Sequence, residues 1–266
     1  MSGPQSEKPG VPLAAWALAL TGALFFLLPL AGLLWRAPWH RVLGDLGDPE
    51  VRDALKLSLI CSVWATFLAI VVGVPLAWVL ARARFPGHHL LRALTTLPMV
   101  LPPVVGGVAL LLALGRRGLV GQYLDQWFGI RLPFTTAGAV LAETFVAMPF
   151  LVIAAEAGFR SANRRLEEAA RTLGARPWTV FRRVTLPMVM PSLAAGSVLC
   201  WARALGEFGA TITFAGNFPG QTQTTPLKVY LLLESRPDAA IALSLVLLAV
   251  SLAVLVGLRD RWFGTT

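Results

Sequence analysis

The sequence predicts an all-α membrane protein of six transmembrane helices. Three observations carry that expectation. The 266 residues are 56% hydrophobic and 14% charged, where a soluble domain averages about 25% charged. Mean hydropathy is +0.68. Six apolar runs, each near the roughly 20 residues a helix needs to cross a bilayer, lie at 14–34, 55–81, 94–114, 136–157, 189–210 and 239–258. Nearly the whole chain is used in these runs and their connections. The expected division is a disordered polar tail at 1–13, a membrane domain at 14–258 and a short tail at 259–266.

Each run has its own character. The first is too long for the apolar stretch of a signal peptide, and only Glu7 and Lys8 charge its flank, so it is expected to be an uncleaved span. The second and fourth contain Pro75 and Pro149. Proline removes a backbone donor and kinks a helix, and the freed carbonyls then need a neighbouring helix or a wet cavity. The third holds Leu97-Pro98-Met99-Val100-Leu101-Pro102-Pro103, then Gly106-Gly107. That is a bend, placed either beside a pore or where it only improves packing. The fifth ends in Arg203 and Glu207, spaced i, i+4 for a pair along one helix face. Charges within a span are costly, so the pair serves either a pathway or a self-neutralised contact between helices.

The formal charge of +9 comes from 20 Arg and three Lys against 14 acids. Most Arg lie between the apolar runs, where they set topology, and no basic stripe with interleaved aromatics suggests nucleic acid. Loop 158–188 alone carries seven Arg. With loop 82–93, Lys8 and the C-terminal tail the tally is 13 basic residues on one side against nine on the other. Loop 158–188 and both termini are therefore expected in the cytoplasm. Cys61 and Cys200 sit inside apolar runs and read as buried free thiols. His88-His89 have no third ligand nearby and read as solvated. A carrier working alone would want several facing intramembrane carboxylates, and only Glu143, Glu156 and Glu207 are available. A membrane-embedded enzyme would want a nucleophile with its base, and no His lies within a span.

The loop 164–187, RRLEEAARTLGARPWTVFRRVTLP, is a charged island. Leu166, Ala169, Ala170 and Leu173 follow i, i+3, i+4, i+7 spacing, one apolar stripe of a short helix. Gly174 suits the left-handed position past a helix end, and Pro177 suits the first turn of a second helix. That second helix is expected to end at Leu186-Pro187, with Glu167, Glu168 and Arg171 projecting outward. Further on, segment 213–227 is rich in neutral hydrogen-bonding groups such as Asn217, Thr222 and Thr224. It reads as an external loop that docks a partner, or as a lining that hydrates a passing oxyanion.

The spacing Glu168-Ala169-Ala170, Gly174, then Leu186-Pro187 resembles the EAA loop of binding-protein-dependent importer permeases. Gly206-Glu207-Phe208-Gly209-Ala210-Thr211, continuing through Asn217, Pro219-Gly220, Thr222-Gln223-Thr224 and Pro226-Leu227 to Tyr230, is similar to the molybdate permeases of the ModB type. Sulfate and tungstate permeases carry related versions. The resemblance covers about residues 50–258. It implies the type I ABC importer permease fold and a cytoplasmic coupling helix. Glu167, Glu168, Ala169, Ala170, Leu173 and Gly174 would engage an ATPase, with Leu186 and Pro187 at the loop exit. Arg203, Glu207, Asn217, Thr222 and Thr224 would lie on the translocation path or gate. It further implies a homodimer in the bilayer, two ABC ATPase subunits and an external oxyanion-binding protein. No catalytic residue, metal or cofactor is expected in this chain. Its three lysines, Lys8, Lys56 and Lys228, stand in no Gly-Lys-Ser/Thr sequence, so it has no P-loop, and ATP-Mg would be held by the partner.

Overall fold

The computed structural model describes residues 12–262, with side chains described to residue 257. The tail expected to be disordered at 1–13, and the C-terminal one at 259–266, fall largely outside these residues. The described chain is helical throughout: α1 (Leu13–Trp35), α2 (Val42–Gly47), α3 (Pro49–Arg82), α4 (His88–Val100), α5 (Pro103–Leu114), α6 (Gly121–Phe128), α7 (Thr136–Ser161), α8 (Arg164–Thr172), α9 (Pro177–Val180), α10 (Leu186–Leu205), α11 (Gly209–Phe214), α12 (Thr225–Ser235) and α13 (Pro237–Trp262). Among the described residues, five helical segments are long and apolar enough to span a membrane: α1, α3, α7, the continuous Pro177–Leu205 and α13.

The expected run at 94–114 is the exception, because it is two helices. Leu101 and Pro102 each precede a proline, which disfavours the helical region. Both are extended, with ψ of 133° and 129°. Pro103 then starts α5, where its missing N–H costs nothing. The bend lets α5 lie against α11. The approach is close: a Cβ on Gly107 would stand 2.6 Å from the Thr213 Cβ and 2.9 Å from the Ala210 carbonyl.

The core is made by α3, α7 and α10. Ala65, Ala69, Gly73 and Ala77 on α3 form an i, i+4 stripe of buried small residues, facing Ala139, Ala147, Ala155 on α7 and Cys200, Ala204 on α10, all fully buried. Lipid tails are as apolar as leucine, so helices in a bilayer associate by close packing of small residues. At the α7–α10 crossing, a Cβ on Gly158 would meet the Ser192 Cβ at 2.6 Å. Both cysteines are free and buried, as expected. The large apolar side chains go outward instead: Leu59, Val63, Trp64 and Phe67 of α3 are about half exposed, and α1 has no buried residue. Those surfaces fit hydrocarbon or another subunit.

Two boundaries differ from expectation. Leu186-Pro187 does not end a helix. The backbone runs from α9 through a π-helical turn, Phe181–Thr185, straight into α10, with the Leu186 N–H reaching the Phe181 carbonyl five residues back. A proline ring inside a helix clashes with the carbonyl four residues before it, and the wider turn immediately ahead of Pro187 accommodates it. The fifth span also stops at Leu205, not at 210, and Gly206 turns the chain into α11.

Candidate functional site: the α8 turn and the polar loop after α11

α8 begins where the Asn163 Oδ1 accepts the Arg165 N–H at 3.0 Å, the capping role Asn fills best. It ends in a Schellman motif. Gly174 has φ +81°, its N–H reaches the Arg171 carbonyl at 2.9 Å, and the Ala175 N–H reaches that of Ala170 at 3.0 Å. The left-handed glycine expected from the sequence is in place.

The orientation of α8 corrects the expectation for Glu167. That side chain points inward. Its Oε1 accepts from Arg82 Nη2 at 2.7 Å and from Thr185 Oγ1 at 3.0 Å. One buried carboxylate thus ties the last residue of α3, the middle of α8 and the π-helical turn together. The physical reason is charge satisfaction. Arg82 at the end of a span needs a counter-ion, and a carboxylate with a guanidinium and a hydroxyl as partners tolerates burial. With Glu167 turned in, the apolar stripe turns out. Leu166 is 51% and Leu173 89% exposed, Ala169 is exposed and Ala170 half-buried, and Glu168 and Arg171 are exposed with them. A helix of a self-contained protein buries its stripe against the core. This one presents it.

Beneath the turn lies a cavity of about 850 Å³ with Val71, Val74, Trp78 and Phe181 as its apolar wall and Arg82, Glu168 and Arg171 at its rim. Phe181 stacks on Trp178 at 5.6 Å and tilts onto Trp78 at 5.3 Å, so the second half of the turn rests on α3 through aromatic rings. Val180 is buried, while Trp178 is 69% exposed.

At the opposite end of α10, Arg203 Nη2 and Glu207 Oε2 pair at 2.7 Å. They do not lie along one helix, since Glu207 is past its end. The Glu207 Oε1 accepts the Ala210 N–H at 2.8 Å, so the carboxylate closes the turn between α10 and α11. Glu207 is 1% exposed. The polar segment that follows is folded inward. Thr222 Oγ1 accepts the Phe218 N–H at 2.9 Å, Gln223 Nε2 donates to Asn217 Oδ1 at 3.0 Å, and the Thr225 N–H donates to Ser58 Oγ of α3 at 2.6 Å. Thr222 to Thr225 are all buried. The structure therefore does not bring Arg203, Glu207, Asn217, Thr222 and Thr224 to one open surface. Asn217 and Thr222 bond within the loop itself and Glu207 bonds Arg203 and the Ala210 N–H, while the buried Thr224 Oγ1 has no partner among the described residues.

The same end is strapped to α3 by Lys228 with Glu50 and by Arg236 with Asp48 at 2.8 Å. The Arg236 guanidinium, and then the Glu50 N–H, hold the Asp48 carboxyl below its ordinary 3.8. Sequence reasoning missed Arg82, Thr185, Ser58 and the Lys228–Glu50 pair. Their partners are 18 to 178 residues distant in sequence, and no local spacing signals them. His88, read as solvated, in fact bonds the Leu80 carbonyl through Nε2 at 2.8 Å.

Comparison with known proteins agrees with this architecture. Residues 69–264 match the family described as "Binding-protein-dependent transport system inner membrane component". The "Molybdenum transport system permease protein ModB" of Mycobacterium tuberculosis is 48% identical over 95% of this chain and 96% of its own length. The "Sulfate transport system permease protein CysT" of Salmonella typhimurium is 37% identical over 94% and 92%. Among solved structures, a bacterial ABC transporter involved in import of the acidic polysaccharide alginate has a chain of the same fold, with TM-score 0.74 at 20% identity over 95% of this chain and 96% of that one.

Proposed function

We propose that this chain, which belongs to the family of binding-protein-dependent transport system inner membrane components, is the membrane-spanning subunit of an ATP-driven importer of molybdate. It is a transport subunit and not an enzyme. The observation that carries the substrate is the 48% identity to a molybdenum permease across almost the full length of both chains, against 37% for the sulfate relative.

The geometry supports a division of labour. Glu168, Ala169, Ala170, Leu173 and Gly174 form the surface that enters a partner ATPase, and Glu167 forms its fixed base. ATP-Mg belongs to that partner. Movement of the ATPase is delivered to α8, passes through Glu167 to Arg82 and Thr185, and so reaches α3 and α10 together. The π-helical turn makes α9 and α10 one continuous lever. The chain carries one such turn, so two copies serve two ATPase subunits, and the bare apolar faces of α1 and α3 accommodate a second copy within the bilayer. The turn and both termini face the cytoplasm. At the far end, Arg203–Glu207 and the Asn217–Thr224 loop frame the outer gate against which an external binding protein delivers the anion. Among the described residues of that loop, polar groups are mostly bonded to one another, so it passes an oxyanion without holding it tightly.

The test is ATP-dependent uptake of labelled molybdate by the reconstituted complex with its ATPase and binding protein, with sulfate as competitor. Uptake that excess sulfate leaves intact is the expected result. Equal competition by sulfate transfers the chain to the sulfate group, and coupled ATPase with uptake of neither anion discards both substrates.

A further inference from the structure

We infer that this protein holds the headgroup of an anionic phospholipid in a basic pocket at the root of α8. The pocket, about 460 Å³, is framed by the end of α3, the 83–87 loop, the first turns of α4 and the α7–α8 junction. Arg82, Arg84, Arg92, Arg160 and Arg164 line it with His88. Glu167 pairs with Arg82, and Glu156 with both Arg92 and Arg160. Five guanidiniums against two carboxylates leave three positive charges. Among the described residues neither Arg84 nor Arg164 has a carboxylate within 4.0 Å. The Nε atoms of Arg82 and Arg92 are buried without a hydrogen-bond partner there. The N-terminus of α4, which His88 opens at this pocket, has no side-chain cap, so its dipole adds to the attraction for an anion.

Two features favour a lipid phosphate over a free one. Basic pockets between transmembrane helices are lipid-headgroup sites by the same electrostatics. Exposed apolar side chains lie on the same helices. Ala157 and Ile153 precede Arg160 on one exposed face of α7 at i−3 and i−7, and α4 carries exposed Ala93 and Val100. A diacyl lipid seated by its phosphate would lay its chains against them. Arg164 is the first residue of α8, so the headgroup would brace the turn from below, on the side away from its exposed stripe. The inference rests on the reading above that this end of the spans meets a membrane surface.

Native mass spectrometry of the purified transporter tests it, with phosphatidylglycerol and phosphatidylcholine offered in separate titrations and inorganic phosphate as competitor. Phosphatidylglycerol adducts should exceed phosphatidylcholine adducts, resist phosphate, and weaken about thirtyfold in Arg84→Gln/Arg164→Gln, from about 1 kcal/mol per surface arginine. Arg84→Lys/Arg164→Lys should retain most of the binding, which separates lost charge from lost fold. Equal adducts of the two lipids, or a phosphatidylglycerol signal unchanged in the glutamine variant, would overturn the assignment. Displacement by phosphate would make it a soluble-anion site and overturn the lipid. Headgroup binding with no molybdate uptake leaves this inference standing and sinks only the substrate.

Discussion

At α8 a buried carboxylate, Glu167, ties a nine-residue helix to Arg82 and Thr185. At the other end of α10 a buried carboxylate, Glu207, accepts the Ala210 N–H of a six-residue helix and so ties that helix to Arg203. The two anchors are alike, and what they support is not. α8 leaves an apolar stripe in the open, whereas the outer loop turns its threonines inward and bonds many of its own donors and acceptors. A short helix with its polar side fixed and its apolar side bare is prepared for a partner. A loop whose polar groups are mostly internally bonded is prepared to keep its shape. An acid–arginine pair therefore does not by itself mark a pathway, and the surroundings decide its use.

The first way to break this comparison is to damage the bare stripe. Gly174→Asp and Glu168→Lys should each cut molybdate uptake at least about tenfold, equivalent to ~1.4 kcal/mol of lost coupling, while the subunit stays in the membrane and ATPase activity persists. Normal uptake in both would end the coupling assignment for α8. Next come the anchors. Removing one partner of a buried pair leaves an uncompensated charge, at about 3–5 kcal/mol. The guanidiniums left behind are partly exposed, Arg203 at 28% and Arg82 at 16%, so Glu207→Ala and Glu167→Ala should each lie at the lower end, about 3 kcal/mol. Thermal unfolding of the purified variants measures both. The contrast sharpens if Glu167→Ala also uncouples ATPase from uptake while Glu207→Ala lowers only stability.

A smaller effect is expected at Gly174→Ala. With φ at +81°, a Cβ costs about 1–2 kcal/mol in the left-handed region, and nothing lies within 4 Å to add a clash. Its melting shift should be well below that of the Glu207 variant. The smallest concerns Asp48. Its folded value is depressed, so its contribution is present above the ordinary 3.8 and is lost as pH falls through the lower folded value. Stability measured downward from pH 5 should decline less in Asp48→Asn than in the parent. The pair is solvent-exposed, so the difference is slight. A decline of equal slope in both would remove the Asp48–Arg236 strap from the account.

How much was legible in the sequence varied with the range of the interaction. Pro102-Pro103 announced a bend because the restriction on a pre-proline residue is local, and the bend is there. Gly174 announced a left-handed helix end for the same reason. Glu167 was misplaced because helical periodicity ranks faces by hydrophobicity, and it carries no information about Arg82, 85 residues away. Leu186-Pro187 was read as a stop because proline usually ends helices. The π-helical turn that lets the helix continue itself rests on α3, through Phe181 against Trp78.

The amino-acid sequence alone determined the membrane class, the approximate place of most spans, the bend and the α8 turn, since hydropathy, proline geometry and glycine φ act between near neighbours. Only the tertiary structure decided which way α8 faces, that the outer loop folds inward, and that five arginines from four segments share one pocket. Those outcomes follow from charge pairing and small-residue packing between helices far apart in sequence, where each group's partner exists only once the chain has folded.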